Sequence, residues 1–392
     1  MRSVVVLSGV RTAIGDYGGA LKDQTPTHLA ATVIQAAVAR ANIDVEKIRH
    51  VVVGHVVPTE AQDMYLARAA TLTAGLPQSV AALTLNRVCG SGLQAIISAA
   101  QSILLGDTEA AIAAGTESMS RGGYLLPALR WGQRMQNSQA IDMMVGALTD
   151  PFEQIHMGVT AENIAKKWKI TRKQQDQFAL ESHQRARHAI RSGYFREQII
   201  PITTTTRKNT VTFDTDQHPR DNISLEILAK LHPVFQENGT VTAGNASGIN
   251  DGAAALVLME ECAAQQNNYQ PMARLVAYGH AGVDPRYMGI GPVPAVKQAL
   301  QRAGLVLDDI DVIESNEAFA VQACAVAQEL HLDPEKTNPN GGAVALGHPI
   351  GASGCILAIK AIYELHRIHG RYALVTLCIG GGQGIAAIFE RL

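Results

Sequence analysis

Two segments of the sequence place a cysteine beside several glycines, where a thiol could form and break covalent bonds. Residues 86–92 read NRVCGSG and put Cys89 directly before an apolar helical pattern. Free N–H groups and the dipole at a helix N-terminus stabilise negative charge, so this position favours a thiolate nucleophile. Residues 378–384 read CIGGGQG and follow a strand-like run, which gives Cys378 a nest of backbone N–H groups. Taken singly, the two segments also fit a buried structural cysteine and an ordinary glycine turn.

A histidine and an asparagine stand in two further loop-like segments. His348 lies in NPNGGAVALGHPIGASG, residues 338–354, and Asn316 opens NEAFA after a short apolar run. A lone loop histidine is usually a surface group, and an asparagine there usually forms a turn. An imidazole beside a thiol, however, makes an activated nucleophile. Together, the four groups would let one thiol hold an acyl group as a thioester while the second moves a proton at carbon. Their spacings match no zinc pattern, so we predict no metal.

The chain resembles itself at a constant offset of 262 residues. Residues 37–43 (AVARANI) match residues 299–305 (ALQRAGL), and the Ser-Gly pair at 91–92 matches the pair at 353–354. With that offset, the position of Cys89 falls three residues after His348, so the two loops are expected to meet at a pseudo-twofold axis. Two unrelated Ala- and Ile-rich helices are the alternative explanation.

The elements that must hold these loops alternate between strand and helix in each copy. That alternation is typical of a parallel sheet covered by helices, so the fold class is α/β. The helix after Cys89 carries no charge between Arg87 and Asp107, which predicts that it is buried on both faces. Helix layers should therefore alternate with two sheets.

Composition excludes several classes of function. The 392 residues carry a formal charge of −2, which argues against a dedicated nucleic-acid or membrane-surface protein. The 5 cysteines include no CxxC pair, so no disulfide framework is predicted. No stretch has both the length and the hydropathy expected of a membrane span, and the apolar run at residues 4–7 reads as a strand. We therefore expect a cytoplasmic protein.

A basic segment separates the two copies. Residues 160–235 contain more Lys and Arg than Asp and Glu, whereas the rest of the chain is acidic. A solvated helical face explains most of these charges. The alternative is a local surface for an anionic small molecule, with Arg207, Lys208 and Arg220 as candidates.

The four segments VCGSG, NEAF, GHPIGASG and CxGGGxG resemble the catalytic blocks of the thiolase family, and the resemblance extends over nearly the whole chain. HMG at residues 156–158 and AGNASGINDG at 243–252 resemble the family's pantetheine-loop elements. The resemblance implies duplicated halves in a five-layer αβαβα arrangement. It implies an N-terminal half at 1–118 plus 249–270, an inserted loop domain covering coenzyme A (CoA) at 119–248, and a C-terminal half at 271–392.

The same resemblance implies an acyltransferase that condenses acetyl-CoA with acyl-CoA and cleaves 3-ketoacyl-CoA with CoA, by a ping-pong mechanism. Cys89 would carry the acyl group, His348 would activate it, and Cys378 would act as acid and base at the α-carbon. N–H groups of Cys89 and Gly380 would form one oxyanion pocket. His348 and a water held by Asn316 would form a second pocket, for the enolate.

The resemblance also implies the substrate contacts. Arg220 would lie near the nucleotide, although His218 and Ile227 replace the Tyr and Ser of biosynthetic bacterial enzymes. Phe235 and Met288 would line the acyl pocket. Pantetheine contacts would come from Leu148, His156, Met157, Ala243, Ser247, Ala318 and Phe319.

Further expectations concern partners and metabolism. The family resemblance implies no cofactor beyond the CoA thioester substrate, and a homotetramer built as a dimer of dimers. Residues 142–152 (DMMVGALTDPF) resemble bacterial 3-ketothiolases that accept chains longer than acetyl, including those that feed polyhydroxyalkanoate synthesis. The reaction is reversible, so both fatty-acid β-oxidation and biosynthesis stay open.

Three alternatives compete with this interpretation. A decarboxylating ketoacyl synthase shares the duplicated fold, but uses a histidine where Cys378 stands. A cysteine hydrolase could use Cys89, His348 and Asn316, which would leave Cys378 without a role. A non-catalytic acyl-CoA-binding scaffold would be expected to lack at least one reactive group, and none is missing.

Overall fold

The structure, a computed structural model, describes residues 2–205 and 210–392. Arg207 and Lys208, two of the basic-surface candidates, lie outside these ranges. Within them the chain forms a mixed α/β fold around one large sheet.

The first part of the chain alternates strands and helices. Its elements are β1 (Val4–Thr12), β2 (Gly15–Asp16), α1 (Pro26–Ala41), β3 (Ile48–Gly54), α2 (Leu66–Thr73), β4 (Ala81–Leu85), α3 (Ser91–Leu105) and β5 (Ala110–Ser118).

The segment that follows is irregular and rich in helix. It contains β6 (Tyr124–Leu125), β7 (Ile141–Asp142), α4 (Met143–Ala147), α5 (Met157–Trp168), α6 (Arg172–Arg191), β8 (Ile199–Ile200), β9 (Ile202–Thr205), β10 (Thr210–Phe213) and α7 (Leu225–Ala229). The capping box that starts α6 at Thr171 and Gln174 is formed.

The last part returns to the sheet and repeats the first pattern. Its elements are β11 (Asn250–Glu260), α8 (Glu261–Gln266), β12 (Ala273–Gly282), α9 (Pro292–Ala303), β13 (Val312–Ser315), α10 (Ala320–Leu330), α11 (Ala343–Leu346), α12 (Ser353–Ile368), β14 (Tyr372–Ile379) and β15 (Gln383–Arg391).

The internal duplication is visible in matching elements. Helix α3 starts at Ser91 and α12 at Ser353, and β5 and β14 follow them at the same offset. Helices α1 and α9 both end at a left-handed residue, Asn42 with φ 49° and Gly304 with φ 67°. In each copy a short 3-10 turn then leads into the next strand, β3 or β13.

The two halves form five layers, as predicted. Helices α3 and α12 lie side by side at the centre and contact strands of both halves. Helices α1 and α2 pack against the first half, and α9 covers the outer face of the second. The two sheets are, however, joined, because β1 pairs antiparallel with β12 through Val4–Leu275, Val5–Arg274 and Val6–Ala273. The strand order of the joined sheet is β13-β14-β15-β12-β1-β11-β5-β3-β4.

The central helices meet at their N-termini, where only glycine leaves room. A Cβ on Gly354 would lie 2.1 Å from the backbone nitrogen of Leu93, and one on Gly92 would lie 2.7 Å from that of Cys355. The Cys355 thiol donates a hydrogen bond to the Gly92 carbonyl at 3.1 Å. The expected meeting of the two loops is therefore confirmed, and both helix dipoles point their positive ends at the same region.

The expectation that no stretch has the length and hydropathy of a membrane span was wrong. The window Val88–Leu105 reaches a mean hydropathy of 1.5, and it is the one helix in the described residues that is long and apolar enough to span a membrane. Its apolar side chains face the two sheet halves, because α3 is the central core helix. A helix that is packed against protein on both faces can be as apolar as a membrane-spanning helix.

Substituting Gly354 by Ala should destabilise the protein, because the added methyl group meets backbone atoms that cannot move away without separating α3 from α12. We expect the free energy of unfolding to fall by about 1–3 kcal/mol, measured as a lower Tm in calorimetry. Gly123→Ala is the matched control, since a Cβ there meets no atom within 4 Å. Equal melting temperatures for the two variants would contradict the contact.

Candidate active site

Cys89 is held on a strained turn between β4 and α3. The residue before it, Val88, has φ 47°, a left-handed conformation that β-branched side chains rarely adopt. The turn is fixed on both sides: Val88 N–H donates to Asn86 Oδ1 at 2.8 Å, and Ser91 Oγ donates to the Val88 carbonyl at 2.7 Å. Such strain persists only where surrounding bonds enforce it, and here it places Cys89 at the wall of a cavity.

The cavity, of about 330 Å³, brings together residues from both halves and from the segment between them. Cys89, His348, Cys378 and Gly380 all lie in its wall. So do nine of the predicted substrate contacts: Leu148, His156, Met157, Phe235, Ala243, Ser247, Met288, Ala318 and Phe319.

The sequence analysis missed other wall residues. Some neighbour the motifs and could have been found there, namely Val88, Ala147, Ala246, Gly248, Ile249 and Ile350. Val234 and Thr242 directly precede the predicted residues Phe235 and Ala243, so they too could have been found there. Met119 carries no local signal, because packing alone brings it to the cavity.

Two of the predicted site residues do not line the cavity. Asn316 is buried behind His348, with its Nδ2 at 3.3 Å from His348 Nε2. Arg220 is exposed on the surface, where its backbone N–H donates to His183 Nδ1 at 3.2 Å. Nearby, His218 pairs with Asp16.

The resting state of Cys89 differs from the sequence expectation of a thiolate. Burial raises the pKa of the Cys89 thiol to about 11. The N–H groups of Gly380 and of Cys89 itself lower that pKa, and the charge of Glu117 raises it. Loss of solvation therefore outweighs the stabilising N–H groups, and the sulfur is protonated at neutral pH.

His348 is a neutral base with a fixed tautomer. Its Nδ1 lies 2.6 Å from Ser353 Oγ, which also donates to the Pro349 carbonyl at 2.9 Å. Since the hydroxyl has one proton, Nδ1 must be the donor to it, and Nε2 keeps its lone pair. Burial lowers the pKa of His348 to about 4, so the ring is neutral at physiological pH. Its backbone N–H is anchored on Asn250 Oδ1 at 2.9 Å.

Cys378 ends strand β14 within the same cavity. Burial raises the pKa of its thiol, and negative charge on Cys89 raises it further. The two sulfurs are therefore close enough to interact, and ionising one opposes ionising the other. The turn after Cys378 contains Gly381 and Gly382 with φ 80° and 83°, which a non-glycine residue would adopt only with strain.

Aromatic rings form the apolar end of the cavity. His156 stacks on Phe235 with ring centres 4.7 Å apart, and Phe319 meets Phe235 edge-on at 6.2 Å. Flat, largely apolar walls suit a flexible chain such as pantetheine or an acyl group. Over residues 2–205 and 210–392, no group of three or more His, Cys, Asp or Glu is arranged to hold a metal ion.

Comparison with known proteins identifies the family. The thiolase N-terminal domain matches residues 4–262, and the thiolase C-terminal domain matches residues 269–391. The chain is 62% identical over 392 residues, 100% of both chains, to beta-ketothiolase BktB of Cupriavidus necator. It is 46% identical to mitochondrial 3-ketoacyl-CoA thiolase of Bos taurus, covering 100% of this chain and 98% of the relative.

Solved structures confirm the predicted fold class. Bacillus anthracis acetyl-CoA acetyltransferase superposes with a TM-score of 0.98 at 47% identity, covering 100% of this chain and 99% of that one. Human mitochondrial 3-ketoacyl-CoA thiolase in complex with CoA superposes with a TM-score of 0.96 at 45% identity, covering 100% and 98%. The chain belongs to the thiolase family.

Proposed function

We propose that Cys89 carries the acyl group and Cys378 moves the α-proton in the reaction of this thiolase. As a member of that family, the protein is an acyltransferase that condenses acetyl-CoA with an acyl-CoA and cleaves 3-ketoacyl-CoA with CoA. The observation that carries the assignment is the single cavity that the thiols of Cys89 and Cys378 share with the His348 imidazole.

The first step transfers the acyl group to the protein. His348 Nε2 takes the proton of Cys89 as the sulfur attacks the thioester carbonyl, and the same proton leaves with the CoA sulfur. Because thiol and imidazole start neutral, the step needs no standing ion pair in a poorly solvated site. N–H groups of Cys89 and Gly380 stabilise the oxyanion, the charge that develops in this transition state.

The second step forms the carbon–carbon bond. His348 Nε2, neutral again after the first step, takes the proton of Cys378, and the Cys378 thiolate removes a proton from the methyl group of acetyl-CoA. The resulting carbanion attacks the acyl carbon on Cys89. The Cys89 sulfur leaves and takes the proton from His348, which releases 3-ketoacyl-CoA and restores both thiols and the neutral imidazole. His348 and a water held by Asn316 stabilise the enolate oxygen. Thiolysis follows the same steps in reverse.

Pantetheine is proposed to lie along the predicted contacts in the cavity wall, with the acyl chain toward Met288 and Phe235. Arg220 remains a candidate for the nucleotide end, supported by its exposed positive charge. The protein itself would need no metal or organic cofactor, since the two thiols and the imidazole supply every proton transfer.

We also propose a homotetramer in the cytoplasm. Large apolar side chains stand exposed between β6 and β7, among them Trp131 at 91%, Met135 at 82% and Leu129 at 64%. A concentration of exposed apolar surface favours burial against another subunit. All five cysteines are free, which suits a reducing compartment. Roles in β-oxidation and in polyhydroxyalkanoate precursor synthesis are both compatible with a reversible reaction.

Replacing each of the two cysteines in turn should separate acylation of the protein from proton transfer at the α-carbon. Cys378→Ala should still release one equivalent of CoA from acetyl-CoA in a burst, but lose exchange of acetyl hydrogens with deuterated water. Cys89→Ala should lose both. A rapid-quench burst assay and mass spectrometry of acetyl-CoA measure the two quantities. A full CoA burst from Cys89→Ala would show that another residue is acylated.

The acylation rate should be flat with pH in the natural protein. His348 has a pKa of about 4, so it becomes protonated and stops acting as a base only near or below that pH. Cys89 has a pKa of about 11, so it ionises without help from a base only near that pH. Between about pH 6 and pH 9 neither group titrates, so the single-turnover rate should not change.

The matched variant His348→Ala tests the same point. Without the imidazole only the thiolate fraction reacts, so the rate should start low and rise roughly tenfold per pH unit across that window. A flat profile in His348→Ala would contradict the role of His348 as base.

Acyl chains longer than acetoacetyl should be accepted. Each extra CH₂ placed against the apolar wall gains about 0.8 kcal/mol. We therefore expect kcat/KM for thiolysis of 3-ketohexanoyl-CoA to equal or exceed that of acetoacetyl-CoA, and Met288→Ala to shift the ratio further toward the longer substrate. Activity confined to acetoacetyl-CoA would contradict this proposal.

A further inference from the structure

Three consecutive residues at the end of β13 each keep a buried oxygen without a hydrogen-bond partner in the described part of the chain. They are Glu314 Oε1, Ser315 Oγ and Asn316 Oδ1. Such atoms are costly unless a donor or a water reaches them. The Asn316 oxygen matters most, because its Nδ2 faces His348 in the candidate active site.

Behind Asn316 lies a cavity of about 10 Å³, walled by Asn316, Ser353, Lys360 and the glycine backbone at residues 342 and 347. That volume is close to the minimum for one water molecule, and Asn316, Ser353 and Lys360 supply the polar side chains of an otherwise apolar wall. Asn316 borders this small cavity and does not line the substrate cavity.

Lys360 of α12 is almost fully buried, at 2% exposure. Its ammonium donates to Glu314 Oε2 at 2.7 Å and to the Gly341 carbonyl at 2.7 Å. A lysine ammonium has three N–H donors, so a third remains for the small cavity that Lys360 borders. This one side chain thus ties α12 to the strand that carries Asn316.

We infer that Lys360 is a positioning residue, which holds the Asn316 amide in its productive orientation through one buried water. The water accepts from the third N–H of Lys360 and donates to Asn316 Oδ1, and this keeps Nδ2 turned to His348. Without that donor the amide can flip, which would set Oδ1 against the lone pair of His348 Nε2 and withdraw a donor from the enolate pocket. The inference rests on the proposed role of Asn316.

The test uses a background in which removing Lys360 leaves no unpaired buried carboxylate. Removing Lys360 alone would strand the Glu314 carboxylate, whereas replacing both partners leaves no orphaned ion. Glu314→Gln keeps an acceptor for Lys360 and serves as the reference. Three further proteins carry Glu314→Gln together with Lys360→Met, with Asn316→Ala, or with both of these changes. All four full-length proteins are assayed.

Two readouts separate positioning from general damage. Relative to Glu314→Gln, addition of Lys360→Met should slow hydrogen exchange of acetyl-CoA about tenfold, the worth of one hydrogen bond. The burst of CoA release that reports acylation of Cys89 should stay within about twofold. Lys360→Gln in the same background retains an N–H donor and should recover most of the exchange rate.

The decisive comparison is the effect of Lys360→Met in the presence and in the absence of the Asn316 side chain. In proteins that already carry Asn316→Ala, the further change Lys360→Met should have no additional effect on exchange. Equal losses with and without Asn316, no loss at all, or parallel loss of acylation would overturn the inference. If Asn316→Ala itself left exchange unchanged, the proposed role of Asn316 would fail instead, so the two failures are distinguishable. Should Lys360→Met not fold, the comparison of Lys360→Gln with Lys360→Ala supplies the same contrast.

Discussion

Everything in this molecule depends on the contact between the N-termini of α3 and α12. Backbone meets backbone there, at Gly92 and Gly354, and no side chain fits between them. The contact sets Cys89 at the start of one helix beside the loop of His348 at the start of the other. It also brings two positive helix ends together, which disfavours extra positive charge and favours a developing oxyanion.

The second constraint is the loss of solvent around the reactive groups. Burial raises the pKa of Cys89 to about 11 and lowers the pKa of His348 to about 4. Both pKa shifts disfavour a Cys89 thiolate paired with a His348 imidazolium in the resting protein. Charge therefore develops only during the reaction, and backbone N–H groups are already oriented toward the oxygen on which it develops. A site of this kind keeps both thiols in their less reactive protonated form until a thioester binds and Cys89 attacks it.

Much of this arrangement is readable from the sequence, because it depends on local motifs. The offset between the Ser-Gly pairs predicts that the two loops meet, the motifs identify the reactive groups, and the family resemblance implies nine residues of the substrate cavity. The charge-free stretch after Cys89 predicts the doubly covered helix. Glycines reveal close backbone approaches because any other residue would be excluded there.

Other features depend on contacts between distant segments and leave no local signal. The resting protonation of Cys89 follows from the loss of solvation around the sulfur, which the helix-terminus argument omits. Pairing of β1 with β12 joins the sheets through three residues on each strand. Met119 reaches the cavity only through packing, and the link from Lys360 to Glu314 spans 46 residues of sequence.

The most direct test of the central claim is to locate the acyl group itself. The protein is mixed with acetyl-CoA, quenched in acid within one turnover, digested and mapped by mass spectrometry. The account predicts a thioester-linked acetyl group on the peptide that contains Cys89 and none on the peptide that contains Cys378. Acetylation of Cys378 in place of Cys89, or no thioester on either, would contradict it.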